Sequence, residues 1–312
     1  MLEAVSAGSD RVTIRATVRR CGVYLDNHSI IALAKGNAER RNRILRSFEM
    51  GADLMFSPVN AAEIIGPEYQ SSLLPVRAFL DGVGPHWFPV EGADVMEVIR
   101  REAAGADRPT ACTSSWFLNQ VFAGLNIFEH GEQRFEVVEP KFFRLSFVLD
   151  WLHPQRADIR RRLSEFDDKL LSTLGELRRG YERNPRGFEE LLPQKQYDER
   201  RPATFAFESL LRGLVYEAKA FQLKKGDGAD LCHAVTASAF ANFATLDKHW
   251  KRRVCGLPKP NGLAKIYYEP ELDRLVTDVE DALRNSATAS NRGRLTRRLQ
   301  PTAAGARMNR RG

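Results

Sequence analysis

The stretch Gly226–Trp250, GDGADLCHAVTASAFANFATLDKHW, carries the reading of the whole chain. LCHAVTASAFANF reads as an apolar helix, and FATLD is a short apolar run that ends in Asp247. Asp227 and Asp230 stand at the start of the helix, three residues apart and so on one face of it. The strand pattern recurs far upstream, where CGVYLD (21–26) ends in Asp26. Apolar runs this short suit strands buried on both faces of a parallel sheet. Such a sheet binds ligands outside the carboxyl ends of its strands. Asp26 and Asp247 are therefore predicted on that edge, with Asp227 and Asp230 beside them at the N-terminus of the intervening helix.

A further strand candidate, DLMFS (53–57), runs into the helix pattern SPVNAAEII. Ser57 suits its N-cap, and Pro58 the first helical position, where no N–H is needed. Glu63 then lies near the start of this helix and joins the same rim. Carboxylates gathered within a few ångströms repel and raise one another's pKa. A divalent cation removes that cost, and hard oxygen ligands select Mg²⁺ or Mn²⁺ over zinc. Each acid also has a structural use. Asp227 or Asp230 can cap a helix or complement its dipole, Asp26 can start a turn, and Glu63 can be a solvated helix residue. Their joint order in the chain favours a site.

At these residues the chain resembles the PIN-domain nucleases. That family opens with an apolar strand ending in Asp, which GVYLDNHSIIALAKG resembles. Its second acid is a Glu early in a helix after a strand, as in LMFSPVNAAEII. Its third lies in a D-x-x-D-x-x-H-A setting, similar to DGADLCHA, and its last follows a strand as T-x-D, similar to ATLDKHW. The resemblance covers about 20–70 and 205–255. It implies a three-layer α/β/α sandwich around a central parallel sheet, a Mg²⁺ or Mn²⁺ site, and hydrolysis of RNA phosphodiesters. Carried over by motif, the metal-site acids are Asp26, Glu63, Asp230 and Asp247, with Asp227 as an auxiliary acid and Thr245 as a supporting hydroxyl. Where the family usually has Asn or Ser two residues after the first Asp, this chain has His28, with Asn27 and Ser29 beside it as candidates to steady that carboxylate. Many small members of the family are toxins held by a protein antitoxin, so an inhibitor partner belongs among the expectations.

Beyond the matched pieces, 1–20 reads as a polar N-terminal extension that is poorly ordered or packs late. The first part of the domain covers 21–84, and 85–203 reads as a large, mostly helical insertion that could cover or shape the site. The second part covers 204–285, opening on one long amphipathic helix over 204–226. Residues 286–312 contain seven Arg and no acid, a composition that builds no core and predicts a disordered basic tail.

The chain has 312 residues and a net charge of +7, which favours polyanionic partners such as RNA. No apolar run is long enough to cross a bilayer and no secretory signal core is evident, so a cytoplasmic protein is expected. The four cysteines are scattered without a C-x-x-C pair and read as small buried hydrophobes, not as a zinc site. Lys248, Lys251, Arg252 and Arg253 follow Asp247 directly and are candidate phosphate contacts, or else an ordinary solvated loop. Arg40, Arg41, Arg43 and Arg46 read as a solvated helix face. His233 reads as a buried, hydrogen-bonded histidine within reach of the acids, and Trp250 as core or rim packing with base stacking as its other use. The expectation is a metal-dependent ribonuclease. Its competitors are a catalytically silent RNA- or protein-binding scaffold and a DNA nuclease using the same acids.

Overall fold

The computed structural model describes residues 1–6, 12–66, 73–124, 144–219, 221–258 and 262–298. The chain begins with an antiparallel hairpin, β1 (Leu2–Ser6) and β2 (Val12–Ala16), where the sequence predicts a loose extension. Five further strands follow: β3 (Cys21–Tyr24), β4 (Ala52–Phe56), β5 (Trp87–Pro89), β6 (Phe243–Thr245) and β7 (Lys265–Tyr267). They form one sheet in the order β5-β4-β3-β6-β7, every neighbouring pair parallel. From β3 the chain builds outward through β4 to β5, then returns to the other side of β3 to lay down β6 and β7. The order therefore reverses between β3 and β6. At such a switch point, the two loops leaving the carboxyl ends diverge and leave a crevice.

The first half of the sheet is crossed by α1 (Asn27–Lys35), α2 (Ala38–Glu49), α3 (Pro58–Ile64) and α4 (Leu74–Val83). Gly51 follows α2 at φ 125°, a conformation that favours glycine, and turns the chain into β4. The long middle region carries α5 (Val95–Ala103), α6 (Arg108–Cys112), α7 (Ser115–Gly124), α8 (Leu145–Leu152), α9 (Arg156–Arg183) and α10 (Pro185–Leu191). The second half supplies α11 (Pro202–Tyr216), α12 (Asp227–Phe240), α13 (Lys248–Cys255) and α14 (Leu272–Arg298).

Alternation along the strands splits the core in two, because successive side chains point to opposite faces of the sheet. Val23, Leu54 and Phe56 face one side, against Ile30, Phe79, Leu80, Leu275 and Val279 from α1, α4 and α14. Tyr24, Met55 and Ala244 face the other, against Leu210, Leu231, Val235 and Trp250 from α11, α12 and α13. Each such Leu, Ile or Phe contributes about 1.5–3 kcal/mol through burial. The result is the three-layer α/β/α sandwich with a helical insertion. No helix among the described residues is long and apolar enough to cross a membrane.

Several boundaries differ from the sequence reading. The segment 85–203 opens with β5, an edge strand of the central sheet, so the insertion begins only after Pro89. Three residues with a proline carry too little pattern for a strand to be read. The helix expected over 204–226 stops at Tyr216. α14 runs to Arg298, into the stretch 286–312 read as a disordered tail, and 299–312 lie outside the described residues. Arg40 and Arg43 do not form a merely solvated face: each pairs with α14, at 2.7 Å to Asp273 and 2.7 Å to Glu280. Cys21, Cys112 and Cys232 are buried as expected, and burial pushes the Cys21 thiol up to about 11, whereas Cys255 is exposed.

Candidate active site

Asp26 leaves the carboxyl end of β3 and is the N-cap of α1. Its Oδ1 accepts the Ser29 amide at 2.9 Å and the Thr245 hydroxyl at 3.0 Å. In return the Asp26 amide donates to the Thr245 hydroxyl at 2.9 Å. Thr245 is fully buried at the end of β6, so this reciprocal pair ties the two loops together across the switch point. Asp247, two residues further along, is the N-cap of α13 and accepts the Trp250 amide at 2.8 Å. Both strand-end aspartates are thus at the edge the sequence predicts, and both also start a helix.

Glu63 and Asp230 reach the same edge from helices. Ser57 caps α3 in a capping box with Asn60, and the Asn60 side-chain amide donates to the Leu25 carbonyl at 3.1 Å and to Asn27 at 3.3 Å. Asn27 in turn donates to Glu63. Asn27 therefore steadies the second acid, while Ser29 supports the first through its amide; the exposed His28 makes neither bond.

His233, 6% exposed, stands behind the acids on α12. Its Nδ1 is hydrogen-bonded to the Tyr24 hydroxyl, and its Nε2 lies 3.6 Å from Glu63. Burial lowers its pKa, but the facing Glu63 carboxylate and the charges of Asp230 and Asp26 overcome this and raise it. Burial would raise the Glu63 carboxyl; the facing His233 ring, the hydrogen bond from Asn27 and the charge of His28 overcome it and hold the group low. Asp230 has less compensation. Burial pushes its carboxyl up to about 6; His233 and a hydrogen bond from Trp250 oppose the shift, and the charges of Asp247 and Glu63 add to it.

Asp26, Glu63, Asp230 and Asp247 therefore share one electrostatic neighbourhood. They do not share one coordination shell: among the described residues, no group of three or more His, Cys, Asp or Glu is gathered tightly enough to hold a metal ion. Asp227 takes other partners. Its carboxylate accepts the Lys224 amide in the turn before α12, and its charge acts on Arg178 instead. The two acids are three residues apart, but Asp227 begins the helix and is bent back toward the preceding turn.

Two buried carboxylates that sequence reasoning missed hold this edge from outside. Asp167 of α9 is 3% exposed and accepts the amides of Gly226 at 2.8 Å, Gly228 at 2.8 Å and Ala229 at 3.1 Å. It caps α12 from the insertion, and a Cβ on Gly228 would sit 2.6 Å from its Oδ1. Glu91, just past β5, accepts the Ser114 hydroxyl at 2.8 Å and the Ala93 amide at 2.9 Å, while its carbonyl accepts Thr236 of α12 at 2.9 Å.

The basic cluster after Asp247 divides. Lys251 pairs with Glu271, and Arg253 pairs with Glu217 at 2.7 Å with only 8% of its side chain exposed. Lys248 and Arg252 are exposed, with no ion pair among the described residues. Trp250, 2% exposed, is core and has no face for a base.

Comparison with protein-family models, with curated proteins and with solved structures found no match to this chain.

Proposed function

We propose that the chain is a divalent-metal-dependent nuclease that hydrolyses RNA phosphodiesters. One observation carries the reading: acids from four separate segments, Asp26, Glu63, Asp230 and Asp247, meet at the switch point of a parallel sheet, with the Asp230 carboxyl pushed up by burial and further by the charges of Asp247 and Glu63. A carboxyl pushed up by burial beside two further acids has no use in a fold that only needs caps. The PIN-domain resemblance and the net charge of +7 point the same way.

By chemistry, the donor set fits a hard cation, since all four candidates offer carboxylate oxygen. When bound, such an ion supplies Lewis acidity at the scissile phosphate. Asp26, Glu63, Asp230 and Asp247 would hold it as Mg²⁺ or Mn²⁺. Thr245 keeps Asp26 in place, and Asn27 and His233 orient Glu63. Lys248 and Arg252, exposed and without an ion pair among the described residues, would take neighbouring phosphates.

The open arrangement of the acids favours a second reading, an RNA-binding scaffold without cleavage. One experiment separates the two. The protein is incubated with single-stranded RNA and single-stranded DNA, with Mg²⁺, with Mn²⁺ and with chelator. The nuclease reading expects ion-dependent cleavage that is lost in Asp230→Asn. RNA binding without cleavage under every condition would make the scaffold the better account, and cleavage of DNA alone would reassign the substrate.

A further inference from the structure

Two clefts open among the helices, and they differ in charge. A cavity of about 540 Å³ between α3 and α9 includes Asp94, Asp158 and Arg162 in its lining, with Trp116 and Phe166. A larger one, about 720 Å³, lies between α11 and α13 and includes Arg212, Arg252 and Arg253 against the single carboxylate Glu217. Among the described residues the first is net acidic and the second net basic. Only the second suits a polyanion.

The basic groove is preorganised. The Arg253 guanidinium lies 4.5 Å from the Phe221 ring centroid, donates to His249 at 3.0 Å and is pinned by Glu217. The Arg212 guanidinium lies 4.3 Å from the Tyr216 centroid, and its Nε donates to the Leu192 carbonyl at 3.2 Å, which fixes the direction of the planar fork. The exposed His249 stacks on Phe221 at 4.8 Å and 25°, leaving a flat outer ring face. Arginine forks held on aromatic rings, next to an open ring face, are the parts that bind phosphates and bases of a single strand. The groove also has a fixed relation to the acids. Asp247 caps α13, and Arg252 and Arg253 follow it by five and six residues, roughly 8–9 Å along the helix.

We propose that this groove is a second nucleic-acid subsite, in which Arg212 and Arg252 hold phosphates next to the one positioned at the acids, with His249 stacking on a base. The proposal rests on the nuclease reading for its substrate, but its test does not depend on cleavage. A labelled single-stranded oligoribonucleotide is titrated in chelator against wild type, Arg252→Gln and the double variant Arg212→Gln/Arg252→Gln, at several KCl concentrations. Each lost phosphate contact lowers the slope of log K against log[salt] by about 0.7 for a single strand, so the double variant is expected to lose about 1.4 and the single variant about 0.7. The single variant keeps the test valid should Arg212→Gln disturb the bond to Leu192. Slopes and affinities equal to wild type, or no binding by the wild type, would overturn the subsite. If instead the slopes fall as expected while no RNA is cleaved with any ion, the groove stands and the nuclease reading fails.

Discussion

The N-terminal turn of α12 presents two faces that are built in opposite ways. Toward α9 it meets Asp167, a buried carboxylate that takes three amide hydrogen bonds. Toward the sheet edge it presents Asp230, whose carboxyl burial pushes up to about 6, with the charges of Asp247 and Glu63 adding to the shift. Both are aspartates at one helix end, where the dipole favours negative charge. One is supplied with donors and the other is crowded by acids. A satisfied carboxylate stabilises a fold, and a crowded, buried one costs stability. Under the proposed function, the crowded acids are the ones that would meet the ion.

The largest expected effect lies on the satisfied face. Asp167→Ala leaves the buried amides of Gly228 and Ala229 and the half-buried amide of Gly226 without an acceptor, which should cost about 3 kcal/mol. Asp167→Asn keeps one acceptor oxygen and should lose roughly half of that. Guanidinium denaturation at neutral pH measures both. A loss in the alanine variant no larger than a surface substitution would mean that α9 does not hold α12, and the contrast would collapse from that side.

The crowded face should respond with the opposite sign. The Asp230 carboxyl sits near 6 when folded and near ~3.9 in an unfolded chain. Its ionised form is therefore disfavoured in the folded state. The penalty is absent below the unfolded value, grows as pH rises between the two, and is complete above the folded value. Asp230→Asn should stabilise the metal-free protein by about 2 kcal/mol at pH ~7.5 and by little at pH ~3.5. Equal gains at both pH values would show that shape, not charge, separates the two side chains. A loss at both would place Asp230 among the structural acids.

The crowded face was the legible one. Asp26 and Asp247 end apolar runs and Asp230 sits in the first turn of its helix, so local pattern brings these three to one edge; Glu63, expected near the start of its helix, is instead the next-to-last residue of α3. The satisfied face was not legible. Asp167 lies inside SEFDDKLL, on a helix whose charged residues are mostly solvated, and nothing local marks it as the one that turns inward toward a loop 59 residues away. The partner of Asp227 was not legible for a related reason. Spacing alone puts Asp227 on the same helix face as Asp230, but its carboxylate folds back to the Lys224 amide. β5 (WFP) carries a proline and β7 (KIY) opens on a lysine, so neither reads as an apolar run ending in an acid as β6 does, and their pairing with β4 and β6 is what makes them strands. Periodicity reports how an element faces its own layer; it says nothing about which distant amides lack an acceptor.

The smallest effect sharpens the contrast, because Asp26 belongs to both kinds. Its Oδ1 holds the Ser29 amide and the Thr245 hydroxyl, and its charge acts on His233 among the rim acids. The structural part needs only an acceptor oxygen, which Asn supplies; the functional part needs the charge, which Asn lacks. Asp26→Ala should therefore cost about 1 kcal/mol of stability through the lost cap, while Asp26→Asn should stay within a few tenths of wild type. Both variants should lose ion-dependent cleavage. The comparison turns on the asparagine variant measured in chelator. If it is as unstable as the alanine variant, the carboxylate charge itself holds α1 and the loop to Thr245, and Asp26 moves to the side of Asp167. If it matches wild type in stability and still cleaves, the charge at the end of β3 has no part in the chemistry, and the acids that remain crowded, Glu63, Asp230 and Asp247, must account for the site without it.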